Sequence, residues 1–409
     1  RGDFRSLTIW EANRTSGLHL VDCGTELTSL GTMYGFVTNL LGFTPDRHEG
    51  KLTGLAAHGK ETEVYHYLKS GIYFCEQSGQ IRTNIGEFYK PFQSAKLPIY
   101  EALLNRIAPE DFAFAAQSIL EETLTKYLDF KLKSLGKESV NLCLSGGCMA
   151  NVKLNYELMK LSRVNNIYVS PAMGDGGNAM GGAINIATSV FNSKYIEMKN
   201  VYLGPSYCSN EIRPVLLANN LTFKELKNEE KIEIAANLLV DNHVIGWFQG
   251  RMEYGPRALG NRSILASASN SDTNKILNDK LNRTEFMPFA PVTIDSLAKL
   301  CYVEWKPEHD CANFMTICYT CTDIMKDLCP AVVHVDSTAR PQVIKRLDNE
   351  DYYDLVKKYY EICAQPALIN TSFNNHEDPI VLSPQDAVNS YKNGNVDFLF
   401  IGDFLVGDK

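Results

Sequence analysis

The chain has 409 residues, more than one hydrophobic core serves, and its 44% apolar and 22% charged residues are ordinary for a folded globular protein, so two domains are expected. A net charge of −8 argues against a nucleic-acid-binding surface as the main business while leaving room for a local basic groove, and neither an uninterrupted run of eighteen apolar residues nor a signal-peptide pattern is present. Eleven cysteines, scattered, odd in number and often inside apolar runs (Cys23, Cys75, Cys143), fit a reduced compartment, so a cytoplasmic protein is expected.

Residues 7–10 and 18–21 read as two strands of a meander, and Ser29 is placed to cap a helix through Met33 and Val37 to Leu41. Residues 48–60, HEGKLTGLAAHGK, mix small residues with His48 and His58, which as isolated residues read as structural. Residues 61–110 carry no period. Residues 116–135 form an amphipathic helix with Ile119, Leu120, Leu124, Leu128 and Leu132 at helical spacing. An apolar strand from Val140 then ends in Ser145-Gly146-Gly147, and a helix begins soon after. Backbone N–H groups and a helix N-terminus at the end of a buried strand suit a nucleotide phosphate. The Lys-Ser/Thr tail of a P-loop is missing, however, and a tight turn explains a bare Gly-Gly equally well. A second such unit follows, with a strand over 167–170, the loop Gly174-Asp175-Gly176-Gly177 and a helix from Asn178. On local physics Asp175 reads as a helix cap ahead of a cation ligand.

The pattern breaks at Gly204-Pro205, which divides the chain into 1–203 and 204–409. Helices over 211–217 and 229–241 lead to a buried strand over 244–249 and then to GRMEYGPRALGNR. Here Arg251, Arg257 and Arg262 are interleaved with Gly250, Gly255 and Gly260, and Pro256 opens one helical turn, PRAL. Guanidinium forks match phosphate or carboxylate bidentately, and glycines let backbone N–H groups approach an anion, so a phosphate cradle is expected rather than a turn with surface arginines. A helix over 272–281 carries Asn278 and Lys280, followed by Arg283. Residues 301–329 hold five cysteines, including a CxxC (Cys318, Cys321), a poor zinc signal without a second pair, and residues 313–320 alternate like a strand. Residues 334–344 include Arg340. The run Asn370-Thr371-Ser372-Phe373-Asn374 is read as following a strand, with donors suited to ribose or carbonyl oxygens. Pro379 and Pro384 bracket a short strand, and Ser383 caps the next helix.

Together these segments resemble the O-carbamoyltransferase family that includes nodulation-factor, cephem and aminoglycoside carbamoyltransferases. The motifs that carry the resemblance are HEGKLTGLAAHG, LSGGCMANVKLN, PAMGDGGNAMGGAI, QGRMEYGPRALGNRSILA, NRTEFMPFAPV, HVDSTARPQ and NTSFNNHEDPIVLSPQDA, in the family's order and over nearly the whole chain. The resemblance implies an α/β protein: an actin-like ATPase domain similar to tRNA threonylcarbamoyl-transfer proteins over 1–203, incomplete at its N-terminus, then a YrdC-like α/β domain over 204–409. It implies that ATP and carbamoyl phosphate give carbamoyl-adenylate in the second domain, and that the first transfers the carbamoyl group to a hydroxyl of a small molecule. Joining two anionic substrates requires cationic clamps. Arg251, Arg257, Arg262, Lys280, Arg283 and Arg340 are the expected clamp, although Arg262 can equally pair with Glu253 to hold the loop. Asn278, Asn370, Ser372 and Asn374 are the expected polar contacts. Gly146, Gly147, Gly174 and Gly176 should approach the adenylate, with Asn151 and Asn155 nearby. By resemblance Asp175 becomes a metal ligand, for Fe2+ or another divalent ion, and Mg2+ is expected with ATP.

The sequence departs from the family at its start. The expected metal-binding histidine pair has no counterpart among His19, His48, His58 and His66, and the acceptor-binding loop is missing. The chain opens on Arg1, and Asp3 in RGDF reads as the remainder of a turn that begins earlier, so a fragment is expected. Two other readings stand beside the transferase: a catalytically silent nucleotide-binding subunit, and threonylcarbamoyl transfer to tRNA, against which the acidity weighs. The expected partners are carbamoyl phosphate and a small hydroxylated acceptor, with no membrane and no nucleic acid, and a homodimer is allowed.

Overall fold

The computed structural model describes residues 4–13, 17–86, 89–90, 97–193, 196, 198, 200–282, 288–375 and 378–407; Asp3 and Arg283 lie outside them. The chain forms two compact units, Arg1–Leu142 with Gly147–Ile167, and Cys143–Gly146 with Tyr168–Lys409.

The first unit is built around the helix Pro109–Ser134. Pro109 occupies its first turn, Glu110 and Asp111 meet the positive end of the helix dipole, and Lys131 and Lys133 meet the negative end. Phe112, Ala116, Ile119, Leu120, Thr123 and Tyr127 make one buried face at helical spacing. The helix starts seven residues before the apolar pattern predicts, because proline and acidic residues favour a first turn without contributing to the stripe. Helices Leu30–Leu40, Glu49–Leu55 and Glu63–Gly71 pack against it, and Ser29 caps the first of these by accepting from the Thr32 N–H. Strands β1 (Arg5–Asn13) and β2 (Gly17–Thr25) pair antiparallel as expected, though longer. The unpatterned stretch 61–110 contains Glu63–Gly71, a hairpin of β3 (Ile72–Cys75) and β4 (Gln80–Thr83), and the helix Pro98–Leu104. These elements are too short to show a period. Strands β5 (Val140–Leu144) and β6 (Val164–Val169) form a further two-stranded sheet.

The second unit is a mixed α/β fold. Its sheet is made of β7 (Phe223–Glu225), β8 (Ile245–Phe248), β9 (Arg262–Ser267), β10 (Ala290–Ile294), β13 (Gln342–Ile344), β14 (Leu368–Ser372), β15 (Phe398–Ile401) and β16 (Phe404–Val406). Two short strands, β11 (Tyr319–Thr320) and β12 (Thr338–Ala339), pair separately. The sheet order is β13-β10-β14-β9-β8-β15-β16-β7. Helices Asn228–Val240 and Glu350–Cys363 bury Leu238, Leu239, Tyr352, Leu355 and Tyr359 against Ile245, Trp247, Leu265, Val292 and Leu368 of the sheet. Val201 packs with Leu259, Ala290 and Met315, so residues just before the expected boundary at Gly204-Pro205 belong to this unit's core.

Register decides what the sheet gathers. Phe248 lies opposite Arg262, Ser372 opposite Ser263, and Asn370 opposite Ala290. Val292 lies beside Gln342 in the parallel pair of β10 and β13. The end of β8, the start of β9, the end of β14 and the starts of β10 and β13 therefore share one end of the sheet.

Some local expectations fail. Pro256–Leu259 is irregular, with bends at Pro256 and Arg257, rather than a helical turn, because side chains take its backbone groups. Asn370 and Ser372 lie inside β14, not after it, and residues 379–384 form no strand. Residues 313–320 are not a continuous strand, since Met315 turns left-handed at φ 55° after the short helix Asp310–Phe314. The helix from Asp272 is seen as Thr273–Lys280.

Candidate active site

The loop between β8 and β9 is anchored by Glu253, a buried carboxylate. Its Oε1 accepts from the backbone N–H groups of Leu259, Asn261 and Arg262 at 2.8, 2.7 and 3.2 Å. Burial raises its pKa, and those N–H groups pull the other way. Gly260 has φ +109°, and a Cβ there would lie 2.2 Å from the Tyr352 ring, so both conformation and space demand glycine. The Leu259 carbonyl accepts from Tyr202 Oη at 2.8 Å and from Gln342 Nε2 at 2.7 Å. Asn370 Nδ2 donates to the Ala258 carbonyl at 3.2 Å.

The three arginines of this loop have three different environments. Arg262 is fully buried. Its guanidinium donates to the carbonyls of Gln249, Gly250, Asn261 and Pro205 and lies 3.7 Å from the centre of the Phe248 ring. Burial pushes its pKa down to about 10, opposed by the charge of Glu253. It touches Glu253 through its backbone N–H, while its guanidinium holds the loop by carbonyls. Arg251 is exposed and donates to the carbonyls of Gly204 and Leu203 at 3.0 and 2.7 Å. Arg257 is half-buried and has no ion pair or hydrogen bond among the described residues, and its Nε is enclosed without a partner. Burial alone lowers its pKa. A desolvated, unpaired guanidinium is costly unless an anion meets it.

Arg340 is half-buried just before β13, at the same end of the sheet, as are Ser372 and Asn374 at the end of β14. Ser372 Oγ donates to Asn374 Oδ1 at 2.5 Å, and Asn374 Nδ2 donates to the Asp378 carbonyl at 2.6 Å. Asn370 Oδ1 is buried and has no partner among the described residues. Lys280 lies apart from this group. Its Nζ is 2.6 Å from Asp397, whose other oxygen accepts from the Val244 N–H. That is the entrance to β8 and β15, the opposite end from Arg257. Asn278, on the same helix, has an enclosed Oδ1 with no partner among the described residues. Arg283 lies outside the described residues.

The glycine turns of the other segments run into short helices, Gly147–Ala150 and Asp175–Gly177. Gly146, at φ +111°, donates its N–H to the Met173 carbonyl at 2.6 Å, and a Cβ there would meet nothing. Gly147, Gly174 and Gly176 are equally open, so a ligand can approach the backbone. Asn151 is instead the N-cap of Val152–Met159: its Oδ1 accepts from the Leu154 N–H, and its amide joins a buried network with Gln117 and Thr53. Asn155 is fully buried and donates to the Met149 carbonyl. Asp175 is exposed at the start of the short helix Asp175–Gly177. No group of three His, Cys, Asp or Glu side chains able to hold a metal occurs among the described residues. The described residues do not by themselves supply the ligands for the divalent ion that the resemblance implies, and Cys318 and Cys321 are buried. No helix among the described residues is long and apolar enough to cross a membrane.

Sequence reasoning passed over Gln342 and Tyr202. Gln342 carried a signal, a polar residue buried at the start of an otherwise apolar edge strand. Tyr202 carried none.

A family model described as carbamoyltransferase N-terminus matches residues 4–184, and one described as carbamoyltransferase C-terminus matches residues 236–408. An uncharacterized protein of Methanocaldococcus jannaschii is 34% identical over 93% of this chain, which spans 62% of that relative's length. Nodulation protein NolO of Bradyrhizobium diazoefficiens is 30% identical, over 96% of this chain and 73% of its own. The 3'-hydroxymethylcephem-O-carbamoyltransferase of Streptomyces clavuligerus is 26% identical, over 98% and 75%. Among solved structures, full-length HypF in a phosphate- and nucleotide-bound form covers 44% of this chain and 22% of its own at 16% identity, with a TM-score of 0.33, too distant to carry an argument. With both family models in order and relatives such as NolO matched over most of their length, the chain belongs to the carbamoyltransferase family.

Proposed function

We propose that this chain carries the carbamoyl-activating part of an ATP-dependent O-carbamoyltransferase. In this reading carbamoyl phosphate loses its phosphate to water and yields carbamate. A carbamate oxygen attacks the α-phosphorus of ATP, the bond to pyrophosphate breaks, and carbamoyl-adenylate forms. The hydroxyl of a small acceptor then attacks the carbamoyl carbon, AMP leaves, and the hydroxyl proton passes to solvent. Mg2+ would accompany ATP and screen its phosphates. The open backbone at Gly146, Gly174 and Gly176 suits a nucleotide during transfer. The cephem and nodulation relatives favour a small hydroxylated acceptor.

The observation that carries the reading is Arg257, a half-buried guanidinium whose enclosed Nε has no partner among the described residues, held on a loop fixed by Glu253, Asn370, Gln342 and Tyr202. Such a cation is placed to stabilise charge developing on phosphate or carbamate oxygens. Pyrophosphate release from ATP tests it, comparing the chain with and without carbamoyl phosphate and with Arg257→Ala. Release that requires carbamoyl phosphate and is lost in the variant is expected. Retention of full activity by Arg257→Ala removes the assignment. A folded chain that binds ATP but releases nothing favours a silent nucleotide-binding subunit.

A further inference from the structure

Beside β13 lies a cavity of about 300 Å³ to which the carbamoyl chemistry assigns no role. Small-molecule sites occupy roughly 300–1,000 Å³, so it is at the lower end of that range. Tyr168, Tyr202 and Phe314 give it aromatic walls, and the rings of Tyr168 and Phe314 meet edge to face with centroids 6.5 Å apart. Its charged groups are Asp310, Lys345 and Asp348. Lys345 Nζ is committed to Asp310 at 3.1 Å. That leaves the half-buried carboxylate of Asp348, which has no ion pair or hydrogen bond among the described residues. Its pKa is raised, first by burial. An unpaired carboxylate among aromatic rings repels anions and gains nothing from a purely apolar guest. An ammonium group is attracted both by the carboxylate and by ring faces, while an apolar body fills the remaining space.

We propose that this cavity binds a small organic ammonium ion, its nitrogen paired with Asp348 and its apolar body held by Tyr168, Tyr202 and Phe314. Tyr202 and Gln342, which line the cavity, also hold the Leu259 carbonyl, two residues from Arg257. The ligand's chemistry is nevertheless independent of the reaction proposed above.

Isothermal titration with benzylamine, benzyl alcohol and benzoate separates charge from shape. Benzylamine should bind saturably and about tenfold tighter than benzyl alcohol, a difference of about 1.4 kcal/mol, with benzoate not binding. Asp348→Asn should weaken benzylamine by about tenfold and leave benzyl alcohol unchanged. Lys345→Met, which removes the ion pair of Asp310 and leaves it only its bond from Asn313, should tighten benzylamine and keeps the test open if Asp348→Asn does not fold. Absence of benzylamine binding at millimolar concentration overturns the proposal. Equal affinity for benzylamine and benzoate, or benzylamine binding unchanged in Asp348→Asn and in Lys345→Met, also overturns it.

Discussion

Asn370 Nδ2 donates to Gln342 Oε1 at 2.7 Å, while each amide also holds one carbonyl of the arginine loop. The pair lies on β14 and β13, with β10 between them. It ties the loop to the sheet edge through side chains alone, at the residues next to Arg257. Asn370→Leu should therefore leave the Ala258 carbonyl and the Gln342 acceptor buried without donors. The expected loss is about 2–6 kcal/mol, from two groups at about 1–3 kcal/mol each. Urea denaturation measures it, and a loss under about 0.5 kcal/mol would mean that water or backbone movement replaces the bonds.

Glu253 makes a sharper test, because its charge and its acceptor role can be separated. Glu253→Gln keeps an oxygen for the N–H groups of Leu259, Asn261 and Arg262 and removes a charge that burial disfavours. Glu253→Ala removes both. The raised carboxyl pKa means that the folded state takes up its proton more readily than the unfolded chain. Stability from this group is greatest below the unfolded value of 4.5 and declines as pH rises through the raised folded value. Glu253→Gln should flatten that decline in thermal melts from pH 4 upward. Glu253→Ala should be the less stable at every pH, by about 2–4 kcal/mol. Equal melting of the two variants would show that the loop is held elsewhere.

Arg257 and Arg262 sit five residues apart, and their substitution should have opposite consequences. Arg262→Lys cannot reproduce a fork that serves four carbonyls and a ring face. It should destabilise the fold by about 3 kcal/mol or more. Arg257→Ala removes a desolvated cation with no described partner, so stability should hold or rise while affinity for ATP or inorganic pyrophosphate falls by about tenfold or more. Lys280→Ala removes a part-exposed ion pair at the far end of β8, worth about 0–1 kcal/mol, and should leave anion affinity unchanged. Loss of anion binding in Lys280→Ala, with Arg257→Ala unaffected, would reverse the placement of the site.

Which of these roles was legible in the sequence follows from what each signal encodes. Three glycines and three arginines in one stretch mark a constrained cationic loop, and that loop is present. Residue type cannot say which guanidinium turns inward to carbonyls and which is left unpaired, because that depends on what Leu203, Gly204 and Pro205 present to it. Lys280 was grouped with the arginines by its place beside a motif, yet Asp397, over a hundred residues later, draws it to the other end of the sheet. Helix starts at Ser29 and Ser383 were readable because a cap is a local bond, to Thr32 and Asp386 respectively. The run from Asn370 was misplaced because buried strands are expected to be apolar. Here the polar side chains point at other polar groups of the sheet end rather than into the core.

His309 gives a pH dependence that is independent of the proposed site. It is buried, its ring stacks on Tyr319, and its Nδ1 lies 3.1 Å from the Tyr319 hydroxyl. Burial lowers its pKa below 6.5, assisted by the charge of Lys306 and opposed by Glu308 and Asp310. The unfolded chain therefore binds a proton there before the folded chain does. The contribution is fully present above the unfolded value of 6.5 and is lost as pH falls toward the depressed folded value. Thermal melts of the parent should show stability falling as pH drops below about 6.5, and His309→Gln should remove that part of the slope while retaining a polar contact to Tyr319. An unchanged slope in His309→Gln would assign the acid sensitivity to other groups and mean that the ring titrates alike in the folded and unfolded chain.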